Sequence, residues 1–248
     1  MFAVPALCLA LISGVLAAEP AAPQPKQMQF VVVRTNDTAC EPTCPEWISA
    51  EGAIGAKTPA LFKATLKTLG GRKLPIVVFS SGGDREAAMT LGRLIRRAGL
   101  DVAVGRTWFV GCRPEEKDCK VNDGKGSDFL GGALSGGYCA SECVLMLAGG
   151  VRRLVPDQAI LRVRLKDPKM NKVAERRLTA YLKEMGIGPA LLEALKAEPG
   201  SNPDVAALRA SGLITGATSV ESITGSGICK AFPAPDNCRV FTVLDLED

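Results

Sequence analysis

The sequence predicts an α/β fold, on three observations. Short β-branched runs alternate along the chain with segments of helical apolar spacing, the order that builds strand–helix–strand units. Residues 75–80 (PIVVFS) are apolar without alternation, as expected of a parallel strand covered on both faces. That run passes into Ser81-Gly82-Gly83-Asp84 and then into Ala87, Ala88, Leu91, Leu94, Ile95 and Ala98, a helical face that stops at Gly99.

The remaining elements follow by the same reasoning. Residues 28–34 (MQFVVVR) and 47–54 (WISAEGAI) are strands. Thr58 caps a helix with Pro59 at its first position; Leu61, Phe62, Leu66 and Leu69 mark its face, and Gly70-Gly71 ends it. A strand at 101–105 closes the βαβαβ run. From Cys112 to Gly137 the chain is polar and glycine-rich, which predicts a disulfide-pinned surface loop. Next, Cys139 to Cys143 leads into Val144-Leu145-Met146-Leu147-Ala148, apolar all round and so a buried helix ending at Gly149-Gly150. Strands at 151–155 and 160–165 flank the turn Pro156-Asp157-Gln158. Helices are expected over 171–185, over 189–197 and from Asn202-Pro203 to Gly212, with a last strand at 239–244.

Composition narrows the chemistry. The 248 residues are 47% hydrophobic and 23% charged, enough for a sizeable core in one domain, residues 28–248. There are nine Cys and no His. Without an imidazole the chain cannot run a Ser-His-Asp or Cys-His mechanism, nor supply the His ligands of most catalytic zinc sites. A net charge of +4 and 5% aromatic residues predict no nucleic-acid partner.

Residues 1–18 carry no charge, run through an apolar stretch and end in Val15-Leu16-Ala17-Ala18, the pattern of a secretory signal peptide. Residues 19–27 form a Pro-rich linker. The expected location is periplasmic or secreted, with no stable membrane span after cleavage. Cleavage removes Cys8 and leaves Cys40, Cys44, Cys112, Cys119, Cys139, Cys143, Cys229 and Cys238, an even set that predicts disulfides. By spacing, Cys40 with Cys44 and Cys229 with Cys238 are expected to form local loops, and the middle four to pair among themselves. Cys139 and Cys143 fall on the expected helix, where an i to i+4 bridge is awkward, so each is expected to pair with Cys112 or Cys119. No cysteine pair has the two-residue separation usual in four-thiolate zinc sites, and no metal or other cofactor is expected.

Two motifs carry chemistry. Glycines at Gly82 and Gly83, between a strand and a helix, let backbone amides approach an anion or oxyanion. Gly137-Tyr138-Cys139-Ala140-Ser141-Glu142 places a serine at the mouth of the buried helix, where the Glu142 amide could face the same oxyanion. Each alone has a plainer explanation, a turn for the glycines and an N-cap for Ser141.

Together, in this order and spacing, they resemble the Clp protease proteolytic subunit and the wider ClpP/crotonase-like superfamily, above all its secreted bacterial members. The match is best over residues 47–166. It rests on Glu51-Gly52-Ala53-Ile54, Ser80-Ser81-Gly82-Gly83, the helix to Arg97-Ala98-Gly99-Leu100, the motif around Ser141, Leu147-Ala148-Gly149-Gly150 and the strand pair around Pro156-Asp157-Gln158-Ala159. The resemblance implies a spiral of ββα units, homo-oligomers such as trimers or rings, Ser141 as nucleophile, and Gly82, Gly83 and the Glu142 amide as the oxyanion hole. It also implies a histidine base at a position that here falls on Arg164, and an acid near Gly200, with Glu198 two residues away. Arginine stays protonated and cannot serve as the base. The expectation is therefore a non-catalytic relative whose cleft binds a peptide or anion, with Arg164 as the receptor. Seven basic residues against Asp167 and Glu175 over 162–177 would favour such a ligand, unless they only solvate a helix face. The alternative is a serine peptidase with a Ser-Lys dyad, as in signal peptide peptidase A, its base being Lys166, Lys172, Lys183 or Lys196. The Glu142 carboxylate, set beside an oxyanion, would oppose hydrolysis.

Overall fold

The structure, a computed structural model, describes residues 26–116, 119, 129–165, 167–197 and 203–240. Residues 1–18, expected to be a signal peptide, residues 19–25 of the expected linker, Lys166, Glu198, Gly200 and residues 241–248 lie outside this set.

The chain opens with β1 (Gln29–Thr35) and β2 (Thr43–Glu51), paired antiparallel with Val31 opposite Ser49 and Gln29 opposite Glu51. Next come α1 (Thr58–Thr68), β3 (Ile76–Phe79), α2 (Arg85–Ala98) and β4 (Val102–Val104), so that β2, β3 and β4 lie parallel in that order. Thr58 begins α1, and its Oγ1 accepts from the Gly55 amide at 2.9 Å, tightening the entry turn rather than capping the helix. In α2 the Asp84 carboxylate caps the N-terminus through the Ala87 amide at 2.7 Å, and Gly99, at φ +68°, closes the C-terminus.

β5 (Arg106–Phe109) lies just before the stretch expected to be a surface loop, Cys112 to Gly137, and that stretch contributes a strand, β6 (Phe129–Leu134). β5 and β6 pair antiparallel, and β6 lies parallel to β1. Gly131 and Gly132, which look like turn residues in the sequence, are close-approach positions. A Cβ on Gly131 would lie 2.1 Å from the Trp108 carbonyl oxygen, and one on Gly132 2.3 Å from the Trp108 indole nitrogen. The expectation is corrected at residues 129–134, which form a strand with its glycines packed against β5, while residues 117, 118 and 120–128 of the expected loop lie outside the described residues.

Then come β7 (Tyr138–Ala140), α3 (Cys143–Ala148), β8 (Arg153–Leu154) and β9 (Ile160–Arg162). The main sheet runs β5-β6-β1-β2-β3-β4-β8, and β7 and β9 form a second, parallel pair. Four helices follow, α4 (Lys172–Glu184), α5 (Ala190–Lys196), α6 (Val205–Ala210) and α7 (Glu221–Thr224), before β10 (Cys238–Val240) returns to pair with β2.

β2 is buried along most of its length because both faces of the sheet are covered. Ile48 and Ala50 join the larger core with α1, α2 and α3, while Trp47 joins a smaller one with Val33, Val77, Phe129, Val220 and Ile223. Side chains on a strand alternate, so Ser49 and Glu51 fall on the face of Trp47. α3 is buried over its whole length, and the Arg96 guanidinium satisfies its terminal carbonyls at Ala148, Gly149 and Gly150, each at 3.0 Å.

Disulfides join Cys40–Cys44 and Cys229–Cys238, as expected, and also Cys112–Cys119 and Cys139–Cys143. The middle four thus pair locally, not across to one another. The expectation failed because Cys139 is not helical: it lies in the strand β7, and the turn at Ser141 brings its Cα to 5.4 Å from that of Cys143. Among the described residues no helix is long and apolar enough to cross a membrane.

Candidate functional site

Ser80, at the end of β3, stitches the site together. Its amide donates to the Tyr138 carbonyl at 2.8 Å and its carbonyl accepts from Ala140 at 3.0 Å, tying β3 to β7. Its hydroxyl donates to the Gly52 carbonyl at 2.6 Å and accepts from the Gly82 amide at 3.1 Å. Gly82 (φ +90°) and Gly83 (φ +146°) then run between two walls of backbone. On one side the Ile54 amide donates to Gly82 and the Asp84 amide donates to Ile54, at 2.9 and 2.7 Å. On the other, a Cβ on Gly82 would come within 2.8 Å of the Glu142 amide nitrogen.

β7 leads to Ser141, the one non-glycine residue at positive φ among the described residues, at +56°. A serine held there costs about 1 kcal/mol or more unless the surroundings impose it. Here the Ser141 amide donates to the Arg162 carbonyl at 3.0 Å, and the Cys139–Cys143 disulfide spans the turn. Strand, left-handed serine and helix form a sharp elbow that presents Ser141 Oγ to the Gly82–Gly83 loop. The sequence thus brings Gly82, Gly83, Ser141 and Glu142 to one place.

The polar groups at that place have partners within the chain. Glu142 is 2% exposed and Ser141 8%. Ser141 Oγ donates to Glu142 Oε2 at 2.8 Å, and the Gly83 amide donates to the same oxygen at 3.2 Å. With the Gly82 amide held by Ser80, two of the three amides expected to bind an oxyanion already have acceptors, one of them an anion.

The expected bases lie otherwise engaged or apart. Arg164 is half-buried, and its Nε donates to the Ala197 carbonyl at 3.0 Å, bracing the end of α5. Lys172 and Lys183 are exposed on α4. Lys196 Nζ bonds Glu175 Oε1 at 2.7 Å and lies 3.8 Å from Glu193, and the Glu175 bond pushes its pKa up, against what a general base needs. Among the described residues no cluster of three or more His, Cys, Asp or Glu could hold a metal.

Sequence reasoning missed one feature. A cavity of about 220 Å³ lies on the Trp47 face of the sheet, floored by Ser49 and Glu51. Its signal was present in the sequence: Trp47-Ile48-Ser49-Ala50-Glu51 places a hydroxyl and a carboxylate on one face of a buried strand.

No protein-family model and no curated protein matches the chain. Among solved structures, a serine-to-alanine mutant of the 1510-N membrane-bound stomatin-specific protease is similar at 12% identity and a TM-score of 0.46, over 79% of this chain and 89% of that one. A lysine-to-alanine mutant of that protease in complex with a substrate peptide gives 13% and 0.46, over 79% and 84%. A protein described as an enoyl-CoA hydratase from Streptomyces coelicolor A3(2) gives 12% and 0.36, over 87% and 74%. Similarity at this level transfers no activity to the chain.

Proposed function

We propose that this chain is an exported, non-catalytic member of the ClpP/crotonase-like serine-peptidase scaffold, built of ββα units, that recognises a peptide or other anion at the Ser141 elbow. The observation that carries this reading is the position of the Glu142 carboxylate. It accepts hydrogen bonds from the Ser141 hydroxyl and the Gly83 amide at once. A negative charge held where a tetrahedral oxyanion would form opposes the transition state of acyl transfer. No imidazole exists in the chain to take the serine proton.

The same contacts describe a carboxylate-binding site occupied by the chain's own side chain. A peptide carboxylate would bind by replacing Glu142 at Gly83 and Ser141, so the native protein binds such ligands weakly and loss of the Glu142 carboxylate strengthens binding. Arg164 would contribute long-range attraction for the anion, since its Nε remains on Ala197. Four disulfides accord with an oxidising compartment.

A fluorophosphonate probe tests the reading. Wild type is expected to show no labelling beyond that of Ser141→Ala, and Ser141-dependent labelling of wild type would overturn it. For the binding half, acetylated peptides with a free or an amidated C-terminus are titrated into wild type, Glu142→Ala and Arg164→Ala. Glu142→Ala is expected to bind the free acid about tenfold more tightly than wild type, the effect of one uncovered charge-assisted site. Arg164→Ala is expected to bind it more weakly. Equal affinity of all three proteins for both peptides would sink the ligand assignment.

A further inference from the structure

The cavity on the other face of the sheet has the opposite character. Ser49 and Glu51 stand two apart on β2, opposite Val31 and Gln29 of β1, and Glu51 also lies beside Phe79 of β3. Val31, Phe79, Phe109 and Pro114 supply apolar walls, and Lys26 and Glu115, 3.7 Å apart, stand at the rim.

Two polar groups at the floor lack protein partners. Ser49 is 2% exposed, yet its hydroxyl makes no hydrogen bond among the described residues. The residue lines the cavity, and a hydroxyl that opens onto a cavity without a protein partner is a place for a ligand group or water. Glu51 uses one carboxylate oxygen, Oε1, to accept the Thr107 amide at 2.8 Å. Oε2 has no donor among the described residues. Burial pushes the Glu51 pKa up. The Thr107 bond and the guanidinium groups of Arg106 and Arg113 act the other way, while Glu115 adds to the rise. Arg106 itself stacks over Phe79, 5.4 Å from the ring centroid.

We propose that this cavity is a binding site for a small organic cation, a protonated amine on a single apolar body. The ammonium sits between Glu51 Oε2 and Ser49 Oγ, and the body lies against Phe79 and Phe109. The floor offers a carboxylate oxygen and a hydroxyl, the acceptor pair an ammonium needs and an anion would be repelled by. Aromatic walls add attraction for a cation. At about 220 Å³ the space is below the roughly 300–1,000 Å³ of drug-sized sites and fits a fragment-sized ligand.

Calorimetric titration of the full chain with phenethylamine, 2-phenylethanol and 3-phenylpropionate tests this, since the three share a body and differ in charge. Phenethylamine is expected to bind, the alcohol at least about tenfold more weakly and the acid not at all. Glu51→Gln keeps an oxygen for the Thr107 amide and is expected to weaken amine binding by about tenfold. Ser49→Ala is expected to weaken it by about fivefold. No phenethylamine binding, equal binding of the three compounds, or unchanged amine affinity in Glu51→Gln would overturn the proposal. Should Glu51→Gln fail to fold, Ser49→Ala, which removes no protein hydrogen bond, decides: unchanged affinity there overturns it.

Discussion

Two serines, Ser141 and Ser49, are both buried on the molecule's central strands and turns, and their surroundings differ in one respect. Ser141 donates to a carboxylate that also holds the Gly83 amide, so that the serine hydroxyl and the carboxylate close on each other within the chain. Ser49 faces a cavity with no partner, two residues from a carboxylate that uses one oxygen. Sequence motifs draw attention to the first serine, yet the second has the unfilled hydrogen-bonding capacity that a ligand requires. A motif marks a position along the chain, and the partners around a side chain decide how much hydrogen-bonding capacity it has left.

The elbow side of this contrast breaks most severely at Gly83. Its Cβ would fall 2.1 Å from the Ile54 carbonyl oxygen, at φ +146°. Gly83→Ala is expected to cost about 3–4 kcal/mol in urea unfolding, through backbone overlap and a disallowed conformation together. A loss below about 1 kcal/mol would mean that the loop is not clamped.

Next in size is the staple. Replacing Cys139 and Cys143 together by alanine opens a very short loop, for which the chain-entropy relation gives about 2 kcal/mol. Because the bridge holds Ser141 in its left-handed turn, amide exchange should rise at Ser141 and Glu142 more than in α2. Uniform exchange across both regions would remove the staple's local role.

The two serines then separate directly. Ser141→Ala leaves Glu142 Oε2 with one donor fewer and is expected to destabilise by about 1 kcal/mol, whereas Ser49→Ala removes no bond and should change stability by less than about 0.5 kcal/mol. Equal losses in paired chemical denaturation curves would erase the distinction.

The smallest effect concerns pH. Glu51 has a folded pKa raised above its unfolded value, chiefly by burial, so its full stability contribution is present at low pH and declines as pH rises through the folded pKa. Glu51→Gln should therefore be slightly more stable than wild type at neutral pH, with the gap closing toward pH 4, below the unfolded value of about 4.3. A gap that widened on acidification would reverse the assigned cause.

Much of the scaffold was legible in the chain. The unbroken apolar run into β3, the periodicity of α2 with Asp84 before it and Gly99 after it, and the buried α3 all follow from local signals that the tertiary structure reinforces. The strand at Phe129–Leu134 was not legible, because glycine has one sequence appearance and two uses. At Gly131 and Gly132 it admits the side chain and backbone of Trp108, a contact set by a strand more than twenty residues earlier. The Cys139–Cys143 pair was misjudged for a related reason: the spacing of a helix was applied to a strand-to-helix turn, and a single positive φ at Ser141 changes which Cα atoms meet.

By itself the sequence determined the α/β alternation, the absence of any imidazole and the presence of Gly82, Gly83, Ser141 and Glu142 in an order that could converge. Only the tertiary structure decided what that convergence amounts to. Whether the Glu142 carboxylate points to solvent or onto Gly83 depends on β3 and β7 meeting across some sixty residues of chain, through Ser80. Likewise, an unpartnered hydroxyl at Ser49 is a property of everything packed around it. Composition and spacing list the polar groups of a protein, and three-dimensional packing determines which of them are left without partners, because a hydrogen bond depends on distances that only the assembled chain defines.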